Sequence, residues 1–105
     1  MKNEAPEFSS YKEFYPFYLA QHSHPVSRRL HFIGLLLALV WLALVIGIGW
    51  PVYWLFGSPV LGYGSGFIGH FGFEKNKPAT FRNPLYSFAG DFNMFLDILR
   101  GKIRF

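Results

Sequence analysis

Residues 30–73 read LHFIGLLLALVWLALVIGIGWPVYWLFGSPVLGYGSGFIGHFGF, a run of 44 residues that holds no Asp, Glu, Lys or Arg. One bilayer crossing takes about 20 apolar residues as a helix, so the run exceeds one span and fits two. Trp50-Pro51, near its middle, marks the turn: proline cannot continue a helix and disfavours helical backbone in the residue before it. The expected fold is all-α, a small helical membrane protein. It is built as a two-span antiparallel hairpin, spans about 30–50 and 52–73, flanked by N- and C-terminal amphipathic interfacial helices. Residues 1–105 are expected to form a single membrane-embedded domain, because so short a chain cannot hold two independent cores.

The charges support this reading. Ten Lys and Arg stand against six acids, a formal net charge of +4. All of them lie before residue 30 or after residue 73. A nucleic-acid binder gathers its basic residues on one face. Here they flank apolar spans and are missing from the turn, which places both termini in the cytoplasm. The expected location is integral to a membrane, the bacterial inner membrane if the chain is prokaryotic, with the bilayer and not nucleic acid as partner. No apolar run of the kind a signal peptide needs precedes residue 14. With no Cys, disulfides, thiolate metal sites and thiol catalysis are excluded.

Around the hairpin the punctuation is clear. Residues 1–7 read as frayed. Ser10 and Glu13 have capping-box spacing and open a helix toward Gln21, with Pro16 as a kink or early stop. Pro25 is a natural first residue for the next helix, with His24 near its cap. Asn83-Pro84 opens a last helix, in which Leu85, Phe88, Phe92, Phe95, Leu96 and Leu99 recur at helical spacing until Gly101. Asp91 and Asp97 are expected on its solvent face. Gly57-Ser58-Pro59 can interrupt the second span. Gly62 and Gly66 make a small-residue face suited to a homo-oligomer. Gly64 to Gly69 matches G-x-G-x-x-G, but without a preceding strand in a βαβ unit it is no dinucleotide fingerprint.

The chemistry lies in the four histidines. Three fall in QHSHPVSRRLH, residues 21–31, and the fourth is His70. His31 and His70 each lie 19 residues from the Trp50-Pro51 turn. Antiparallel helices of equal rise therefore bring them back to one depth, near where His22 and His24 emerge. Imidazoles so gathered suit Fe, Zn, Cu or Ni, and ionisable groups in a membrane are functional candidates by default. His22, His24, His31 and His70 are thus the candidate metal ligands. Glu74, four residues after His70, shares its helix face.

Two stretches carry a resemblance: FYPFYLAQHSHPVSRRLHFIG, residues 14–34, and GHFGFEKNKPATFRNPLYSFAGDFNM, residues 69–94. Together they resemble the short bacterial branch of the 2-hydroxy fatty acid dioxygenase family. The resemblance implies a membrane enzyme that uses Fe(II) and O2 on a fatty-acyl substrate, releasing CO2 and an acid one carbon shorter. It places His22, His31 and His70 on the family's histidine positions. It puts Glu74 and Lys75 on the FEK motif, as candidate catalytic residues. Lys75, Arg28 or Arg29 are candidates to hold the substrate carboxylate. Two other readings stay open: haem held between His31 and His70, and a non-catalytic membrane scaffold.

Overall fold

A computed structural model describes residues 8–77 and 82–105. The first seven residues, expected to fray, and the 78–81 part of the polar loop lie outside the described residues. Helix α1, Tyr11–Ala20, starts where the capping box places it, Ser10 Oγ accepting from the Glu13 amide at 3.3 Å. Pro16 does not stop it. The ring deletes one amide donor, while Phe14 and Tyr18 on either side of it are locked into the core. That core is Phe14, Tyr18 and Met94, each at most 1% exposed, ringed by Phe8, Tyr11 and Tyr86. Met94 belongs to α4, Pro84–Leu99. The two outer helices, expected as amphipathic interfacial helices, pack on each other.

Helix α2, Pro25–Ile48, begins at the expected proline. Its cap is His24, whose Nδ1 accepts from the Val26 amide at 3.1 Å. It ends at Gly49, left-handed at φ 78°, where the Gly49 and Trp50 amides both reach the Val45 carbonyl at 3.1 Å. Glycine takes that backbone without a Cβ penalty, and Pro51 then starts the return.

The returning arm is three kinds of helix in series. A 3-10 turn covers Val52–Phe56, α3 covers Gly57–Ile68, and a π-helical segment covers Gly69–Glu74. The interruption of the second span expected at Gly57-Ser58-Pro59 is a change of helix type at Gly57, and a second change falls at Gly69. Among the described residues, α2 is the one helix long and apolar enough to cross a membrane. Gly57 marks the first division: the Trp41 indole occupies the space a Cβ there would need. That indole donates from Nε1 to the Trp54 carbonyl at 2.6 Å, and Ser58 Oγ donates to the Ala38 carbonyl at 2.9 Å. Trp41 also packs against Trp50 and Trp54 at the turn end of the hairpin.

Small residues let α2 and α3 meet closely. Gly62 lies against Ala38, Gly66 against the His31 ring and Gly69 against Ser27. The Gly62/Gly66 face expected to serve a homo-oligomer is therefore taken by α2 of the same chain. Gly66 and Gly69 of the G-x-G-x-x-G run are helix contacts, and no strand occurs among the described residues. A Cβ on Gly34 would sit 2.6 Å from Ser65 Cβ and 3.2 Å from the Leu61 carbonyl, whereas one on Gly47 would meet nothing within 4 Å. Gly34→Ala is thus expected to destabilise by about 1–3 kcal/mol through overpacking. Gly47→Ala should hold or gain stability, since alanine is the better helix former by about 1 kcal/mol. Thermal unfolding of both in detergent checks the contact, and an unchanged midpoint in Gly34→Ala would argue against it.

The polarity of the molecule is inverted. His22, Ser27, His70, Asn76, Asn83 and Ser87 are buried, while Ile33, Leu36, Leu37, Val40, Leu44 and Ile46 of α2 are exposed. Helix α4 repeats the pattern: Leu85, Phe88, Leu96 and Leu99 face outward, and Ser87, Gly90 and Met94 face in. Gly90 is inside because the Tyr18 ring comes within 3.1 Å of where its Cβ would stand. The two acids expected on the solvent face are both engaged. Tyr18 donates its hydroxyl to Asp91 Oδ1, and Tyr15 donates to Asp97 Oδ2 at 2.8 Å.

Candidate metal centre

Three helical segments deliver three imidazoles to one point. His22 stands just past α1, its amide on the Leu19 carbonyl at 3.0 Å. His31 is in the second turn of α2, and His70 is in the π-helical segment. The rings pack edge to face, with centroids 4.2 Å apart for His22–His31, 4.6 Å for His22–His70 and 4.8 Å for His31–His70. One nitrogen from each lies within 4.8 Å of the other two, as a shared metal ion requires. His22 and His70 are buried and His31 is partly so. The matched depth of His31 and His70 about the turn is what the sequence implied.

The outward nitrogens decide the chemistry. His22 Nδ1 lies 2.6 Å from the Tyr18 carbonyl, His31 Nδ1 2.9 Å from the Ser27 carbonyl, and His70 Nδ1 2.6 Å from Asn76 Oδ1. All three partners are pure acceptors, so each Nδ1 carries the proton and each Nε2 is left with a lone pair. The Nε2 atoms of His22 and His31 face each other at 3.0 Å. Two lone pairs at that distance repel, and a cation between them and His70 turns the repulsion into ligation. Burial and the neighbouring imidazoles hold His22 well below the usual histidine range, which keeps it neutral and able to bind a metal. The donor set, all imidazole with no thiolate, fits iron and equally zinc.

The other candidates stand elsewhere. His24 is the cap of α2, its ring on Phe73 at 5.4 Å, and it is not in the imidazole group. Glu74, expected as catalytic, accepts from the His24 amide at 2.8 Å and from Ser23 Oγ at 3.4 Å. Its carboxylate pins the end of the π-helical segment to the start of α2, where negative charge suits the helix dipole. Lys75, the other expected catalytic residue, is exposed and ends that segment in a left-handed conformation at φ 60°. Arg28 is occupied with three carbonyls: Nη1 donates to His22 and Ser23 at 3.1 and 2.9 Å, and Nε to Arg104 at 3.1 Å. It fixes the turn that presents His22. Arg29 lies over the Phe105 ring.

Two cavities adjoin the imidazoles. One of about 210 Å³ runs between α2, α3 and α4 and is lined by Leu35, Leu39, Leu42, Pro59, Phe88 and Phe92, with His31 at its end. The other, of about 20 Å³, touches both His31 and His70. Asp91 lines both. Sequence reasoning missed Asp91, Asn76 and Tyr18. Asp91 falls four residues after Ser87 and three before Met94, on the side of α4 that packs, and the apolar stripe gives no pointer to it.

Burial pushes the Asp91 carboxyl up to about 6, with the Tyr18 hydroxyl pulling the other way. A carboxyl raised on folding binds its proton more tightly in the native state, so its contribution is present below pH 4 and lost as pH rises through 6. Measured against its effect at pH 4, Asp91→Asn is expected to gain up to about 3 kcal/mol on the parent protein at pH 7. Unfolding midpoints of the two proteins from pH 4 to 7 check this, and a constant difference would contradict it.

The sequence model of one protein family, described as 2-hydroxy-palmitic acid dioxygenase Mpo1-like, matches residues 8–103. No curated protein and no solved structure matches.

Proposed function

The chain belongs to the 2-hydroxy-palmitic acid dioxygenase Mpo1-like family, and from that premise we propose that it is a membrane-embedded Fe(II)-dependent dioxygenase of 2-hydroxy fatty acids. The observation that carries the proposal is the convergence of three neutral imidazoles whose outward nitrogens are all satisfied by acceptors. His22, His31 and His70 are the proposed ligands. Iron bound there supplies activation of O2 and a site for the α-hydroxy acid. The chain's own groups do the rest. Tyr18, Ser27 and Asn76 aim the three rings, and the apolar cavity takes the acyl chain. The overall change balances without a co-reductant: R-CH(OH)-COOH + O2 gives R-COOH + CO2 + H2O.

The bilayer is the proposed setting. Outward apolar side chains on α2 and α4 over a polar interior would be unfavourable in water and are at home in lipid. The return arm, Val52–Glu74, follows α2 back as the second pass, with both termini on the cytoplasmic side. In a bacterium this would be the inner membrane. The haem reading has little support, because His22 fills the space beside His31 and His70 and their rings, 4.8 Å apart, leave no slot for a porphyrin.

Detergent-purified protein loaded with one equivalent of Fe(II) is expected to convert 2-hydroxyhexadecanoic acid into pentadecanoic acid, with one O2 consumed per product. Loading with Zn(II) should give none, because zinc has no redox chemistry. No shortened acid from the iron-loaded protein would defeat the proposal.

A further inference from the structure

Asp91 is a half-buried acid on the side of α4 that packs, four residues after Ser87 and three before Met94. The two cavities share His31, Gly62, Tyr63 and Asp91, so Asp91 stands where the apolar cleft meets the imidazoles. Oδ1 accepts from the Tyr18 hydroxyl, and a carboxylate offers further lone pairs to a second donor. Neither lining contains a Lys or Arg, and Asp91 is the one acid in either. No Lys or Arg side chain meets a substrate carboxylate there, which is left to the proposed iron at the imidazoles. A substrate hydroxyl finds an acceptor.

We infer that Asp91 recognises the substrate's 2-hydroxyl, accepting its proton in a hydrogen bond and so selecting 2-hydroxy acids over unsubstituted and 2-oxo acids. This deepens the proposed function and rests on it. A carboxylate at neutral pH accepts and does not donate. When an acyl chain fills the cleft and excludes water, an acid without the hydroxyl desolvates Asp91 and leaves it with Tyr18 as its hydrogen-bond donor. Sites built to bond a hydroxyl reject the analogue that lacks it by large factors, up to about 10⁴ or more. Tyr18 sets the register, since its carbonyl accepts from His22 Nδ1 while its hydroxyl donates to Asp91. One residue thereby fixes the distance between the metal centre and the hydroxyl acceptor.

The test is equilibrium binding under argon, where no turnover occurs, to iron-loaded protein in detergent. The ligands are 2-hydroxyhexadecanoic, hexadecanoic and 2-oxohexadecanoic acids. The parent protein should prefer the hydroxy acid over hexadecanoic acid by about 100-fold or more. In Asp91→Ala that ratio should fall at least about tenfold with iron content unchanged. Asp91→Asn keeps the volume: its carbonyl serves Tyr18 and its amide faces the cavity as a donor, so preference should move toward the 2-oxo acid. An unchanged ratio in both variants would overturn the assignment of Asp91 and leave the dioxygenase reading standing. Loss of iron from both variants would also overturn it, since Asp91 would then act only by holding Tyr18 and His22. A parent protein with no hydroxyl preference would remove the dioxygenase reading and this inference together.

Discussion

Fe(II) titrated under argon into His31→Ala or His70→Ala protein is expected to find no high-affinity site, and His22→Ala should behave the same way. Each of the three rings is held by its own backbone or side-chain acceptor on a separate segment. No fourth imidazole stands in reserve to replace a lost one. Removing partners that only orient metal ligands costs about 10–100-fold, so losing a ligand itself should cost at least the upper end of that range. His24→Ala is the informative contrast. In the sequence His24 stands two residues from His22 and is a candidate ligand with it. The fold instead makes His24 the cap of α2. His24→Ala should therefore bind iron normally and lose only cap energy, about 0.5–2 kcal/mol of stability. Iron affinity unaffected by His31→Ala and His70→Ala together would remove the convergent site.

Asn76→Leu is expected to lower metal affinity by about 10–100-fold without removing any ligand. Asn76 is buried at 5% exposure and its Oδ1 sits 2.6 Å from His70 Nδ1. The Nδ2 group reaches back to the Gln21 carbonyl at 3.4 Å, beside His22. Leucine removes the acceptor that keeps the proton on Nδ1, so His70 is free to place it on Nε2, where it blocks the metal. Asn76→Asp restores an acceptor and raises the basicity of the ring, so it should recover most of the loss. A calorimetric iron titration of the two variants separates orientation from packing: if Asp fails to rescue, the acceptor is not what matters.

Much of this was legible in the sequence because its signals are local. Ser10, Pro25, Trp50-Pro51, Asn83-Pro84 and Gly101 start and stop the helices as their backbone chemistry demands. The equal spacing of His31 and His70 from the turn is simple arithmetic on helix rise. The misreadings share a different cause. The expectation of Asp91 and Asp97 on the solvent face of α4 assumes that the apolar side packs, as it does in water, but in this chain the apolar side faces out. The small and polar side, Ser87, Gly90 and Met94, is the one that packs. The same inversion hid Asp91. The Gly62/Gly66 face was right as a close-approach surface, but sequence spacing does not say which helix approaches, and α2 is already there. Glu74 follows His70 by about one turn, but its spacing does not say which neighbour its carboxylate meets. At the end of the π-helical segment that carboxylate accepts from the His24 amide at the α2 cap. Asn76 carried no signal, since an amide six residues past a histidine in a polar loop looks like any other.

X-ray absorption at the iron edge on protein loaded with one equivalent of Fe(II) tests the central claim most directly. The account predicts multiple scattering from three imidazoles per iron, falling to two in His22→Ala protein forced to load at high metal concentration. An iron shell with no imidazole scattering, or one that His22→Ala leaves unchanged, would contradict it.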